Sequence, residues 1–90
     1  MEAAQSIAQP IRVIVLGEDP LVRRGLRSVL EDAEDVCIVA ETGDPAETLR
    51  TVAKLQPDIL IMAFTQLDEE SLHFIARVRA DFRNVNVVLT

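Results

Sequence analysis

Tryptophan and tyrosine are absent from this chain and phenylalanine occurs only three times, so its interior has to be built from valine, isoleucine, leucine and alanine. A single cysteine, Cys37, excludes an intrachain disulfide and fits a reducing, cytoplasmic setting. It lies in an apolar run and is expected as a buried thiol. With one histidine beside it, His73, a metal site of cysteine and histidine ligands is excluded. No apolar stretch approaches the roughly 18 residues needed to cross a bilayer. The first ten residues also lack the basic start and apolar run of a secretory signal. Positive charge is scarce: Lys and Arg number 9 against 15 Asp and Glu, a net charge of −6. That balance disfavours this segment as a direct partner of nucleic acid. A glycine-rich phosphate loop is missing too, which argues against a small-ligand binder of the nucleotide type.

What remains is an ordinary globular composition, 49% hydrophobic and 27% charged over 90 residues, enough for one small domain. Residues 1–10 read as a leader ended by Pro10, and residues 11–90 as the folded unit. Ile11 to Leu16 is a nearly continuous apolar run rich in β-branched residues, as expected of a strand covered on both faces. Asp19-Pro20 then gives a helix cap followed by proline at the first helical position. The helix it opens runs to about Asp32, with Val22, Leu26, Val29 and Leu30 on one stripe and Arg23, Arg24 and Arg27 on the solvated side.

The pattern then repeats. Val36 to Ala40 is a second strand, and Asp44-Pro45-Ala46-Glu47 a second cap with capping-box spacing. The helix from Pro45 to about Leu55 is expected to bury Leu49, Val52 and Ala53. Asp58 to Phe64 is a third strand. Asp68-Glu69-Glu70 opens a third helix, to about Asp81, with Leu72, Ile75, Val78 and Phe82 inward. His73 falls on its solvated side. Val85 to Thr90 is a fourth strand. Strands alternating with helices predict a parallel sheet with right-handed crossovers.

Four segments carry more than a fold class: Ile11-Arg12-Val13-Ile14-Val15, Pro20-Leu21-Val22-Arg23-Arg24-Gly25-Leu26, Pro57-Asp58-Ile59-Leu60-Ile61-Met62 and Val85-Asn86-Val87-Val88-Leu89-Thr90. Together they resemble the receiver domain of bacterial two-component response regulators, particularly those joined to helix-turn-helix output domains. The resemblance implies a flavodoxin-like α/β fold with strand order 2-1-3-4, lacking the last helix-strand-helix portion of a full receiver. It also implies a site at the carboxyl ends of the strands. There an acidic pair after the first strand holds Mg²⁺, and an aspartate ending the third strand takes a phosphoryl group. A Ser or Thr ending the fourth strand contacts that group.

Carried over residue by residue, these roles mostly fail. The acidic pair falls on Gly17 and Glu18, only one of which is acidic. The phospho-acceptor falls on Ala63, whose methyl group offers no nucleophile. The switch hydroxyl falls on Thr90 and is kept. The lysine that a receiver places after its fifth strand has no counterpart here, and Gln66-Leu67-Asp68 stands where a Met-Pro-Gly-like turn is common. Phosphoryl transfer leans on Mg²⁺ in tight oxygen coordination, so neither metal nor other cofactor, and no catalysis, is expected.

The expected function is therefore a phosphorylation-incompetent, receiver-like module that works through protein–protein contact in transcription regulation. The competing reading is a phosphorylatable receiver that uses Glu18, Asp19 and Asp68 instead, although Asp19 reads better as the helix cap. With the fourth strand as an open edge, the expected partner is a protein, a second copy in a homodimer, or the rest of a longer regulator.

Overall fold

Each of the three helices starts from an aspartate. The computed structural model describes residues 9–64 and 67–90, so of the expected leader only Gln9 and Pro10 fall within it. Helix α1 spans Pro20–Glu31, α2 Pro45–Leu55 and α3 Glu69–Asp81. Asp19, Asp44 and Asp68 precede them, and their carboxylates accept hydrogen bonds from the N–H groups of Leu21 at 2.9 Å, Glu47 at 2.8 Å and Ser71 at 2.8 Å. Each cap of this kind contributes about 1 kcal/mol by satisfying an otherwise orphaned amide. Glu47 reaches back to the N–H of Gly43, one residue before the cap, instead of closing the expected box on Asp44. Helix α2 ends on Gln56, which takes the left-handed conformation (φ 48°) and donates its N–H to Val52.

The strands are β1 Ile11–Gly17, β2 Val36–Thr42, β3 Ile59–Ala63 and β4 Asn86–Leu89. They form one parallel sheet, as the alternation of strands and helices predicts, in the order β2-β1-β3-β4 that the resemblance implies. Strand β2 runs two residues beyond the expected Ala40. Its pairing shifts between Val13 and Ile14, so Val39 is the extra residue of a bulge. Among the described residues no helix is long and apolar enough to cross a membrane.

Alternation along the strands divides the core in two. Ile14, Leu16, Leu60 and Met62 point to one face and are sealed by Val52 of α2 and by Phe74 and Val78 of α3. Burying a side chain of this size contributes about 1.5–3 kcal/mol. The same face holds a polar pair, Thr42 and Thr48, whose hydroxyls lie 2.6 Å apart. Thr48 also donates to the carbonyl of Asp44 at 2.7 Å. Val13 and Val15, also buried, point to the other face, beneath α1.

Several expected burials are corrected here. Cys37 is exposed, because β2 is an edge strand with a neighbour on one side only. Helix α1 packs chiefly on β1 and β2, so its apolar stripe is only half used. Leu26 and Leu30 are part-buried, whereas Val22 is exposed and Val29 is 70% exposed. In α2 the second fully buried residue is Thr48, and Ala53 is exposed. In α3 the buried stripe runs through Phe74 and Val78, flanked by Ile75 and Phe82, and leaves Leu72 55% exposed.

Candidate functional site

The carboxyl ends of β1, β3 and β4 bring three of the expected site residues into one row. Gly17 pairs with Ala63 across the β1–β3 ladder. Met62 pairs with Leu89, and the N–H of Thr90 donates to the Met62 carbonyl at 3.1 Å, which sets Thr90 beside Ala63. Neighbouring strands lie about 4.8 Å apart, so the row Gly17–Ala63–Thr90 spans about 10 Å. By alternation these residues share the α1 face with Val15 and Ile61. Ala63 is only 8% exposed, which leaves a methyl group at the centre of the row. Thr90 is exposed, and so is Glu18 in the loop beyond β1.

The other acids are committed elsewhere. Asp19 caps α1. Asp68 caps α3 and also accepts from the Ser71 hydroxyl at 2.8 Å. The backbone and hydroxyl hydrogen bonds from Ser71 hold the Asp68 carboxyl below the usual carboxylate range. Asp58 sits before β3 and accepts from the Arg12 N–H at 2.9 Å. It lies five residues from Ala63, about 17 Å along the strand and at the wrong end of the sheet. Gln66 lies outside the described residues, and Leu67 is exposed. His73 is exposed on α3, as the pattern predicts.

One site residue is not apparent from the sequence. Arg23, expected on the solvated side of α1, is part-buried and folds over the crest, where its guanidinium donates to the carbonyl of Gly17. Its stem lies so close that a Cβ on residue 17 would come within 2.7 Å of Arg23 Cγ. A Cβ on Gly43, just beyond β2, would meet Arg23 Nη1 at 3.1 Å. Arg23 therefore threads between the ends of the two strands through space that glycine leaves open at both. The only hint in the sequence is that pair of glycines, one ending β1 and one just beyond β2, with an arginine in the first turn of the intervening helix. Arg27 stays exposed and pairs with Glu41 of β2 at 2.7 Å and with Glu31 at 2.9 Å.

These residues do not fit a Mg²⁺ ion. Position 17 supplies no side-chain oxygen, the Arg23 guanidinium stands against it, and Glu18 alone falls short of the oxygen set that such an ion requires. Among the described residues no group of three or more His, Cys, Asp and Glu is gathered in a metal-holding arrangement.

No protein-family model and no curated protein sequence matches the chain. Solved structures do match. The isolated REC domain of RcsB from Salmonella enterica serovar Typhimurium, in the presence of the phosphomimetic BeF3-, superposes with a TM-score of 0.81 at 23% identity, over 90% of this chain and 61% of that one. The RcsB–DNA complex gives 0.80 at 23%, covering 90% and 42%. A structure of two RcsB dimers on two parallel DNAs gives 0.81 at 24%, again covering 90% and 42%. This chain thus spans less than two thirds of the isolated domain and about two fifths of the longer proteins. What it shares with them at this level of identity is the receiver fold of two-component response regulators.

Proposed function

We propose that this chain is a receiver-like module that cannot be phosphorylated at the usual position and that signals through protein–protein contact. The observation that carries the reading is the row Gly17–Ala63–Thr90, with a nearly buried methyl at its centre. An acyl phosphate needs a carboxylate oxygen at that point and a cation beside it. The crest instead offers hydrocarbon, a backbone carbonyl and a guanidinium. The commitment of Asp19 and Asp68 to helix caps counts against their serving as substitute acceptors.

RcsB, whose receiver has this fold, is a response regulator that forms dimers and binds DNA. By analogy, residues 11–90 serve a transcription regulator in the cytoplasm, with DNA contact left to an output domain attached to the chain or to its partner. Its activity is then set by partner binding, association state or abundance, since the phosphoryl trigger is missing.

The test is to incubate the chain with acetyl phosphate and Mg²⁺ and measure its intact mass. No mass gain is expected. A stoichiometric phosphoryl adduct on any acidic side chain refutes the proposal, and peptide mapping would show which carboxylate had been overlooked.

A further inference from the structure

A long charged side chain in the first turn of a surface helix ordinarily extends into water, and Arg24 is exposed in that way. Arg23 is part-buried instead. Its guanidinium donates to the Gly17 carbonyl at the end of β1, and its Nη1 lies where a Cβ on Gly43, just beyond β2, would meet it at 3.1 Å. One side chain thus joins the end of β1, the start of α1 and the turn after β2. All of these lie on the β2–β1 side of a sheet ordered β2-β1-β3-β4. Neither glycine has positive φ, so the backbone would accept an ordinary residue at both positions. What a side chain there would take up is the room that the arginine uses.

The residues at this place do not fit a divalent ion, and their disagreement with the fold's usual chemistry has a definite form. We infer that Arg23 is a positioning residue that serves as the crest's resident cation, tying the end of β1 to the turn after β2 and closing the place to divalent metal. The chemistry suits arginine better than lysine. A guanidinium keeps its charge at every accessible pH and is weakly hydrated, so it tolerates partial burial, and its planar fork can hold a carbonyl while resting against backbone. A metal ion exchanges with solvent, whereas a charge on a covalent stem cannot leave. The crest therefore keeps one arrangement with or without metal in solution. A second cation beside it is repelled, whatever carboxylates are supplied. The inference rests on the reading that this crest is not a phosphorylation site. It gives that reading a mechanical cause, a crest set permanently by a side chain instead of reversibly by an ion and a phosphoryl group.

Two measurements test this, and neither reads phosphorylation. In the first, NMR follows the Arg23 guanidinium and the Gly17 carbonyl. The native guanidinium should give separate, slowly rotating Nη signals. These should merge in Gly43→Val, whose side chain crowds Nη1, and the Gly17 carbonyl should move upfield there and in Arg23→Leu. In the second, Mn²⁺ is titrated into Gly17→Asp/Ala63→Asp and into the same pair carrying Arg23→Leu, with paramagnetic broadening of the crest amides as the readout. Removing the arginine should tighten Mn²⁺ binding about tenfold, the effect of a unit charge about 5 Å from a divalent one in water. Far-UV circular dichroism checks that each variant is folded, and the native guanidinium signals decide the matter if a variant is not.

Equal Mn²⁺ affinity with and without Arg23 overturns the inference. So does a native guanidinium that rotates freely, a Gly17 carbonyl unmoved by Arg23→Leu or Gly43→Val, or saturable Mn²⁺ broadening at the crest of the native chain. Each of these leaves the phosphodonor result untouched. A phosphoryl adduct on the native chain, conversely, removes the signalling proposal whatever Arg23 does, so the two failures are distinguishable.

Discussion

Adding one methyl group at Gly17 tests how the crest is built. In Gly17→Ala the new Cβ would lie 2.7 Å from Arg23 Cγ, well inside the ordinary carbon–carbon contact of about 3.5–4.0 Å. Cγ is near the root of the arginine, so the side chain cannot simply flex at its tip and has to change rotamer. That breaks the bond from its guanidinium to the Gly17 carbonyl. A hydrogen bond from a charged donor is worth about 1.5–3 kcal/mol, and here water recovers part of it because Arg23 is only part-buried. A net loss of about 1–2 kcal/mol follows. Against it stands the gain from a stiffer unfolded chain, about 0.4–1 kcal/mol for glycine to alanine where the backbone tolerates it. It does so here, since no glycine of the described chain has positive φ. Gly17→Ala should therefore cost between nothing and about 1.6 kcal/mol in the native background, yet stabilise an Arg23→Ala background by about 0.4–1 kcal/mol. Urea unfolding of the four proteins, followed by circular dichroism, measures the difference. In a domain of this size about 1 kcal/mol moves the melting temperature by about 4–8 °C. If Gly17→Ala has the same effect in both backgrounds, within about 0.5 kcal/mol, Arg23 does not rest on residue 17 and the account of the crest fails.

Three further outcomes follow from the same geometry. Ala63→Asp alone should label poorly with acetyl phosphate, because position 17 still supplies no metal ligand; rapid stoichiometric labelling seen by intact mass would contradict the metal argument. Thr48→Val should destabilise by about 1–3 kcal/mol because it strips the buried Thr42 hydroxyl of its partner, whereas Thr42→Val should cost less because Thr48 keeps the Asp44 carbonyl. Chemical denaturation checks that order, and the double variant should be no worse than Thr48→Val. The folded Asp68 carboxyl titrates below its unfolded value of about 3.9, so its stabilisation is in place above that pH and is lost as pH falls through the folded value. Asp68→Asn should flatten that part of the acid limb in thermal melts taken across the carboxylate range, and an unchanged acid limb would show that the cap does not depend on charge.

How much of this is visible in the chain itself depends on how local the cause is. The aspartate-proline starts of α1 and α2 follow from geometry confined to a few residues, and α2 begins and ends where its pattern predicts. Strand order comes from the resemblance and not from the pattern, whereas the row of site positions follows from register, with Gly17 paired to Ala63 and Thr90 bonded to Met62. The misreadings concern what lies opposite a residue. Cys37 and Val29 look like core because apolar runs and stripes record what could be buried. Whether it is buried depends on a neighbour, which β2 lacks on one side and α1 lacks over half the sheet. Phe74 is the buried aromatic of α3, on a stripe one turn long with Val78, while Leu72 of the competing stripe faces water. Thr48 reads as a polar helix residue, and only its meeting with Thr42 explains its burial. Arg23 is the hardest case, because its placement depends on two distant glycines acting together.

That dependence changes what the departures at the crest mean. Gly17 and Ala63 are partners across one ladder, and both stand where the resemblance expects a carboxylate, but they are not equivalent. The methyl at 63 is a simple subtraction, a nearly buried side chain that offers no oxygen. Glycine at 17 is a replacement. The room it opens is occupied by the Arg23 stem, and a fixed positive charge stands where the fold's chemistry calls for a mobile cation. A carboxylate restored at 17 would first have to expel Arg23, and would then pair with the displaced guanidinium as readily as with a metal. Reversion at 63 and 17 together should thus remain weak until Arg23 is also made apolar, and Arg23→Leu in that background is the change that should raise phosphorylation most.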